Sequence, residues 1–130
     1  MMQCFDTSAG SVHRSAQQPY TETALWKATD TLCREVAAMT RGFAEYHTFI
    51  RLLREKAAAL PAAVAAIYAS DPADPREIRR AYELAHDAEY VLFSAHLFRN
   101  LPYEATATLY EQIYEVKRLI VSAEAACPQK

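Results

Sequence analysis

Glu83 and His86 stand three apart, a spacing that sets a carboxylate and an imidazole on one face of a helix. In ferritin-like bundles two such Glu-x-x-His pairs, with two further inward glutamates, hold a di-metal centre. This chain has one pair. Glu83 and His86 also lie opposite the stripe Tyr82, Ala85, Glu89, Leu92, so they read as solvated helix residues and no metal is expected. His13 and His47 fall in an N-terminal arm and at a helix start, and His96 reads as a hydrogen-bonded histidine at the core edge. No G-x-S-x-G, glycine-rich phosphate loop or HExxH occurs. Cys33 lies between Leu32 and Val36, which predicts a buried, inert thiol. Cys4, Cys33 and Cys127 are odd in number and contain no CxxC, so neither a disulfide framework nor a zinc knuckle is written here. The expectation is a protein that is not an enzyme, with no cofactor and with reduced thiols in a cytoplasm.

The cations carry a second chemistry. Lys27, Arg34 and Arg41 recur every seven residues and predict a stripe along a first helix. Arg76, Arg79 and Arg80 cluster at the start of a third helix, where they oppose the helix dipole. That placement suits a phosphate or carboxylate partner. These six residues are the candidate nucleic-acid contacts; the competing reading is a solvated face balanced by Asp30, Glu35, Glu77 and Glu83. The formal charge of −2 supplies no global field toward nucleic acid or anionic lipid.

Helices must position these groups. The 130 residues are 52% hydrophobic and include 25 alanines against 2 glycines, and alanine is the best helix former. Residues 1–20 are polar and aperiodic and are expected to be a flexible arm, residues 21–126 a bundle, and residues 127–130 a tail. Over residues 22–40, Leu25, Thr29, Leu32, Val36 and Met39 form an amphipathic stripe that Thr21 or Thr23 can cap and Gly42 can end. Residues 45–69 repeat the pattern with Phe49, Leu53, Ala57, Leu60, Val64 and Ile67, and Pro61 predicts a kink in a helix that continues. Asp74-Pro75-Arg76-Glu77 reads as an N-cap, a proline at the first helical position and a glutamate at the third. The third helix follows over residues 75–99, with Ile78, Tyr82, Ala85, Glu89, Leu92 and His96 as its stripe. Asn100-Leu101-Pro102 breaks it, and a fourth over residues 103–125 aligns Thr106, Leu109, Ile113, Val116 and Ile120. Short connections between four such helices predict an all-α, antiparallel, up-down-up-down four-helix bundle. No stretch reaches the ~18 apolar residues of a membrane span, and no membrane partner is expected.

Two further expectations concern packing. Residues 57–69 read AAALPAAVAAIYA, without one charge or amide. A helix apolar all round should be covered all round. This predicts a closed homo-oligomer through Ala62, Ala66, Ile67 and Tyr68. Glu89, placed on a core stripe, needs a partner.

Thr40-Arg41-Gly42-Phe43, the run Leu52 to Ala65 with its Leu60-Pro61, and Ala85 to Glu89 followed by Asn100-Leu101-Pro102-Tyr103 resemble the four-helix-bundle family of proteins encoded in intervening sequences of bacterial 23S ribosomal RNA. More distantly they resemble accessory proteins of diversity-generating retroelements. The resemblance spans residues 26–121, and Ala63 and Ala66-Ile67 stand where the family carries Asn and Glu-Gly. It implies a cytosolic homo-oligomer with a five-membered ring and, in the retroelement branch, binding to nucleic acid, RNA or DNA, and to a reverse transcriptase. Arg54 matches the family's arginine beside the helix-two stripe, which makes it the expected partner of Glu89. The function expected is a non-catalytic homo-oligomeric adaptor that binds nucleic acid. The alternative is a structural scaffold or protein-interaction module without nucleic acid.

Overall fold

The computed structural model describes residues 19–43 and 47–126. Four helices pack together, α1 (Ala24–Met39), α2 (Thr48–Ile67), α3 (Pro75–Leu97) and α4 (Tyr103–Ala126), with no strand among the described residues. Each helix packs on its chain neighbours and α4 closes on α1, so α1 and α3 lie across the diagonal. Between α3 and α4 the contacts run in opposing sequence order: His96 meets Tyr103, Phe93 meets Tyr110 and Glu89 meets Lys117. No described helix is long and apolar enough to cross a membrane.

The helix ends follow local chemistry. Thr23 caps α1 by accepting from the Trp26 amide at 3.2 Å, and Asp74 caps α3 by accepting from the Arg76 amide at 2.9 Å. Gly42, at φ 85, supplies the left-handed residue after α1. Of the arm expected over residues 1–20, residues 1–18 lie outside the description, as do the tail 127–130, Cys4, His13 and Cys127. Tyr20 departs from the expected arm: it opens a short 3₁₀ turn, Tyr20–Glu22, and its ring stacks on Tyr68 at 6.2 Å. Residue 45, the expected start of α2, is also outside the description. Pro61 sits inside α2, which continues past it to Ile67.

The core is aliphatic, with Leu25, Leu32, Leu53, Leu60, Leu92, Leu109 and Ile113 almost wholly enclosed. Buried Thr29, Thr40 and Thr106 return their hydroxyls to carbonyls four residues back, at 2.6–2.9 Å, so they enter the core without an orphaned donor. One stripe differs from expectation. On α3 the expected Ile78, Ala85 and Leu92 are buried, and Ala81, Ala88 and Ala95 join them, whereas the expected Tyr82, Glu89 and His96 sit at the edge. Alanines let the backbone approach its neighbours, and the longer side chains are turned to where their polar ends reach partners.

Candidate functional site

The expected pairing of Arg54 with Glu89 is not formed. Arg54 Nε donates to Thr40 Oγ1 at 2.8 Å and its Nη2 to the Thr40 carbonyl, fastening α2 to the end of α1. Glu89 instead accepts from Lys117 Nζ of α4 at 2.7 Å. Glu89 lies at the edge of the buried face of α3, on the side that meets α4 and not α2. Lys117 also lies 5.2 Å from the centroid of the Tyr82 ring and donates to His86 Nδ1 at 3.2 Å. Burial disfavours its ammonium, but the Glu89 carboxylate outweighs that and holds Lys117 above the ordinary lysine range. Glu83 and His86 are both exposed. Among the described residues no three His, Cys, Asp or Glu side chains converge on a metal position. His96 is half-buried and hydrogen-bonded through Nδ1 to the Leu101 carbonyl at 3.1 Å.

The thiol of Cys33 donates to the Ala57 carbonyl at 3.1 Å, and burial, with Asp30 adding, pushes it up to about 11. It lines an open groove of about 420 Å³ with Val36, Ala37, Arg41, Arg54 and Ala57. A protonated thiol against an apolar wall is a poor nucleophile.

The six candidate basic residues are all exposed but do not converge on one face. Lys27 and Arg34 ride on α1, and Arg41 lies past its end in the turn. Arg76, Arg79 and Arg80 ride on α3, across the diagonal. Arg34 is tied to Asp30 at 2.8 Å and Arg76 to Asp74 at 3.1 Å.

The expected interface on α2 is corrected in part. Ile67 is 2% exposed and belongs to the subunit's own core, as does Val64. Tyr68 is half-covered by Tyr20. Among the four named residues only Ala62 is exposed, and Ala66 is half-buried. The all-apolar half-helix is therefore satisfied largely within one chain.

The exposed apolar surface lies instead on α3 and α4. On α4, Tyr103, Tyr110, Tyr114 and Val121 point outward, and on α3 Tyr90, Phe93 and Leu97 do, with Tyr103 and Tyr90 each 70% exposed and Leu97 76%. Phe93 and Tyr110 meet across the two helices at 5.4 Å between ring centroids, so the two rows form one face. The signal was present in the sequence: α4 bears a second stripe, 103, 110, 114 and 121, beside the core stripe 106, 109, 113, 116 and 120. No family model, curated protein or solved structure matches this chain.

Proposed function

We propose that the protein is a non-catalytic adaptor of the cytoplasm that acts as a homo-oligomer, associating through the aromatic face of α3 and α4. The observation that carries this reading is that contiguous outward row of aromatic and aliphatic side chains. Monomeric proteins rarely leave so large an apolar patch in water, and tyrosine and phenylalanine are enriched at the centres of interfaces. The resemblance to intervening-sequence proteins supports a self-associating bundle independently of this face.

Nucleic-acid binding has thinner support. Two of the six basic side chains are occupied by aspartates, and the clusters sit on diagonal helices, so a single strand would not meet them together. Light scattering on the eluting peak at micromolar concentration tests the association; a monomer mass would refute it. Binding to RNA and DNA at low salt tests the other arm. Binding that disappears when Lys27, Arg34 and Arg41 become glutamine would restore the nucleic-acid reading.

A further inference from the structure

We infer that the occupant of the α3–α4 face is a second copy of this chain, seated about a two-fold axis with α4 antiparallel to the partner's α4. This rests on the association proposed above and adds its partner, symmetry and register. The argument begins with the pattern on α4. At ~100° per residue, Tyr103, Tyr110, Tyr114 and Val121 fall within about 40° of arc. They are also mirrored along the helix: Tyr110 and Tyr114 lie two residues either side of Gln112, and Tyr103 and Val121 nine residues either side.

A stripe with that symmetry matches its own reverse. Laid antiparallel about Gln112, Tyr110 faces the partner subunit's Tyr114, and Tyr103 faces the partner subunit's Val121. Ala107 and Lys117, five residues either side, meet as well; the small alanine leaves room for the lysine stem, whose charge Glu89 already holds at 2.7 Å. A surface that is complementary to itself closes as a two-fold dimer rather than as a chain.

Area agrees with this occupant. At roughly 200 Å² for a fully exposed aromatic side chain, the exposed fractions on α3 and α4 amount to on the order of 700 Å², close to the ~800 Å² per partner of a standard interface. Beside the stripe lie the exposed Glu104, Glu111 and Arg118. The antiparallel register brings Glu104 near the partner subunit's Arg118 twice, with Arg118 held by Glu115 of its own helix at 2.7 Å. It also sets Glu111 against its own copy at the axis, a like-charge meeting that gives the arrangement a distinctive signature.

The test uses the full chain. Wild type is expected to run at twice the monomer mass, Tyr114→Glu as a helical monomer by circular dichroism, and Glu111→Gln as a dimer about 3-fold tighter, from the removal of one exposed like-charge contact. The tightening cannot be produced by misfolding. A wild-type monomer would overturn both this inference and the association beneath it. An assembly larger than two, such as the five-membered ring that the resemblance implies, or a dimer indifferent to Tyr114→Glu, would overturn this inference and leave association standing elsewhere. A dimer broken by Tyr114→Glu but unmoved by Glu111→Gln would overturn the antiparallel α4 register.

Discussion

The Cys33 thiol on α1 donates to the Ala57 carbonyl on α2, the one carbonyl whose helical donor would have been the missing amide of Pro61. A proline inside a buried helix leaves an acceptor without its i+4 partner, and here the neighbouring helix supplies a donor. Cys33→Ala should therefore cost about 1 kcal/mol in urea unfolding, with Cys33→Ser costing less because a hydroxyl still donates. In a Pro61→Ala background the amide of residue 61 can serve Ala57, so the penalty of Cys33→Ala should shrink. Additive effects in that double-mutant cycle would show that the thiol is not serving the freed carbonyl.

A thiol raised to about 11 is almost wholly protonated at neutral pH. An unperturbed cysteine has a value of ~8.5, so at pH 8 Cys33 should alkylate roughly 100-fold more slowly than a free thiol. Mass spectrometry of the Cys33 peptide after iodoacetamide treatment measures this directly. Labelling as fast as a reference peptide would contradict the burial.

Arg54 and Thr40 fasten α2 to the end of α1. Thr40 is fully buried, and its hydroxyl both donates to the Val36 carbonyl and accepts from Arg54. Thr40→Val should cost about 1–3 kcal/mol, since it leaves a charged donor short of an acceptor. Arg54→Lys should not restore the fastening, because an ammonium lacks the planar fork that reaches hydroxyl and carbonyl together. Combining Arg54→Ala with Glu89→Gln should be additive, whereas Glu89→Gln and Lys117→Met should be strongly coupled. Coupling between Arg54 and Glu89 would contradict the pairing described above.

Leu25, Leu32 and Val36 on α1 and Leu109, Ile113 and Ile120 on α4 stand as the sequence reading placed them, because large aliphatic residues at three-four spacing leave one possible inward direction. On α3, Ile78, Ala85 and Leu92 stand in the core as expected, but the buried face is centred closer to Ala81, Ala88 and Ala95, which contribute little hydrophobic signal, so Tyr82, Glu89 and His96 fall at its edge. The error at Glu89 follows from that. Its partner Lys117 could not be found from spacing, since the register between two helices is decided by packing and not by either helix alone. The α2 interface departs from expectation for a related reason: Val64, Ile67 and Tyr68 span about 100° of arc, but α2 is flanked by both α1 and α3, which enclose Val64 and Ile67, and Tyr20 covers part of Tyr68. The outward tyrosines passed unremarked because a tyrosine hydroxyl tolerates water, so one exposed ring is unremarkable and only the row is informative.

Arg99 holds the left-handed position that ends α3, at φ 63. Its amide donates to the His96 carbonyl at 2.9 Å and that of Asn100 to the Ala95 carbonyl at 2.7 Å, which is the Schellman pattern usually built on glycine. An L-residue bearing a Cβ is strained there by about 1 kcal/mol. Arg99→Gly should stabilise the fold by about that amount and raise Tm by a few degrees. Gly42 is the counterpart at the end of α1: a Cβ would meet nothing within 4 Å, yet φ 85 alone should make Gly42→Ala unfavourable by a similar amount. Thermal unfolding of the two variants should therefore move in opposite directions.

The Lys117–Glu89 pair makes a prediction about pH. Both side chains are largely enclosed, at 14% and 21% exposure, so Lys117→Met, which leaves the carboxylate without its cation, should cost about 3 kcal/mol at pH 7. Lys117 is held above its unfolded value, chiefly by Glu89 acting against burial, so the folded state keeps the proton longer than the unfolded state does. The stabilisation is then fully present below the unfolded lysine value of ~10.4 and is lost as pH rises through the higher folded value. Urea unfolding of wild type and Lys117→Met should differ by a constant amount from pH 6 to about pH 9, with the gap narrowing only above ~10.4, where wild type alone loses stability. A gap that already closes between pH 7 and pH 9 would mean that the ammonium is not held by Glu89 in solution. A gap that persists undiminished in strong alkali would assign the loss to the packing of the lysine stem against Tyr82 and not to its charge.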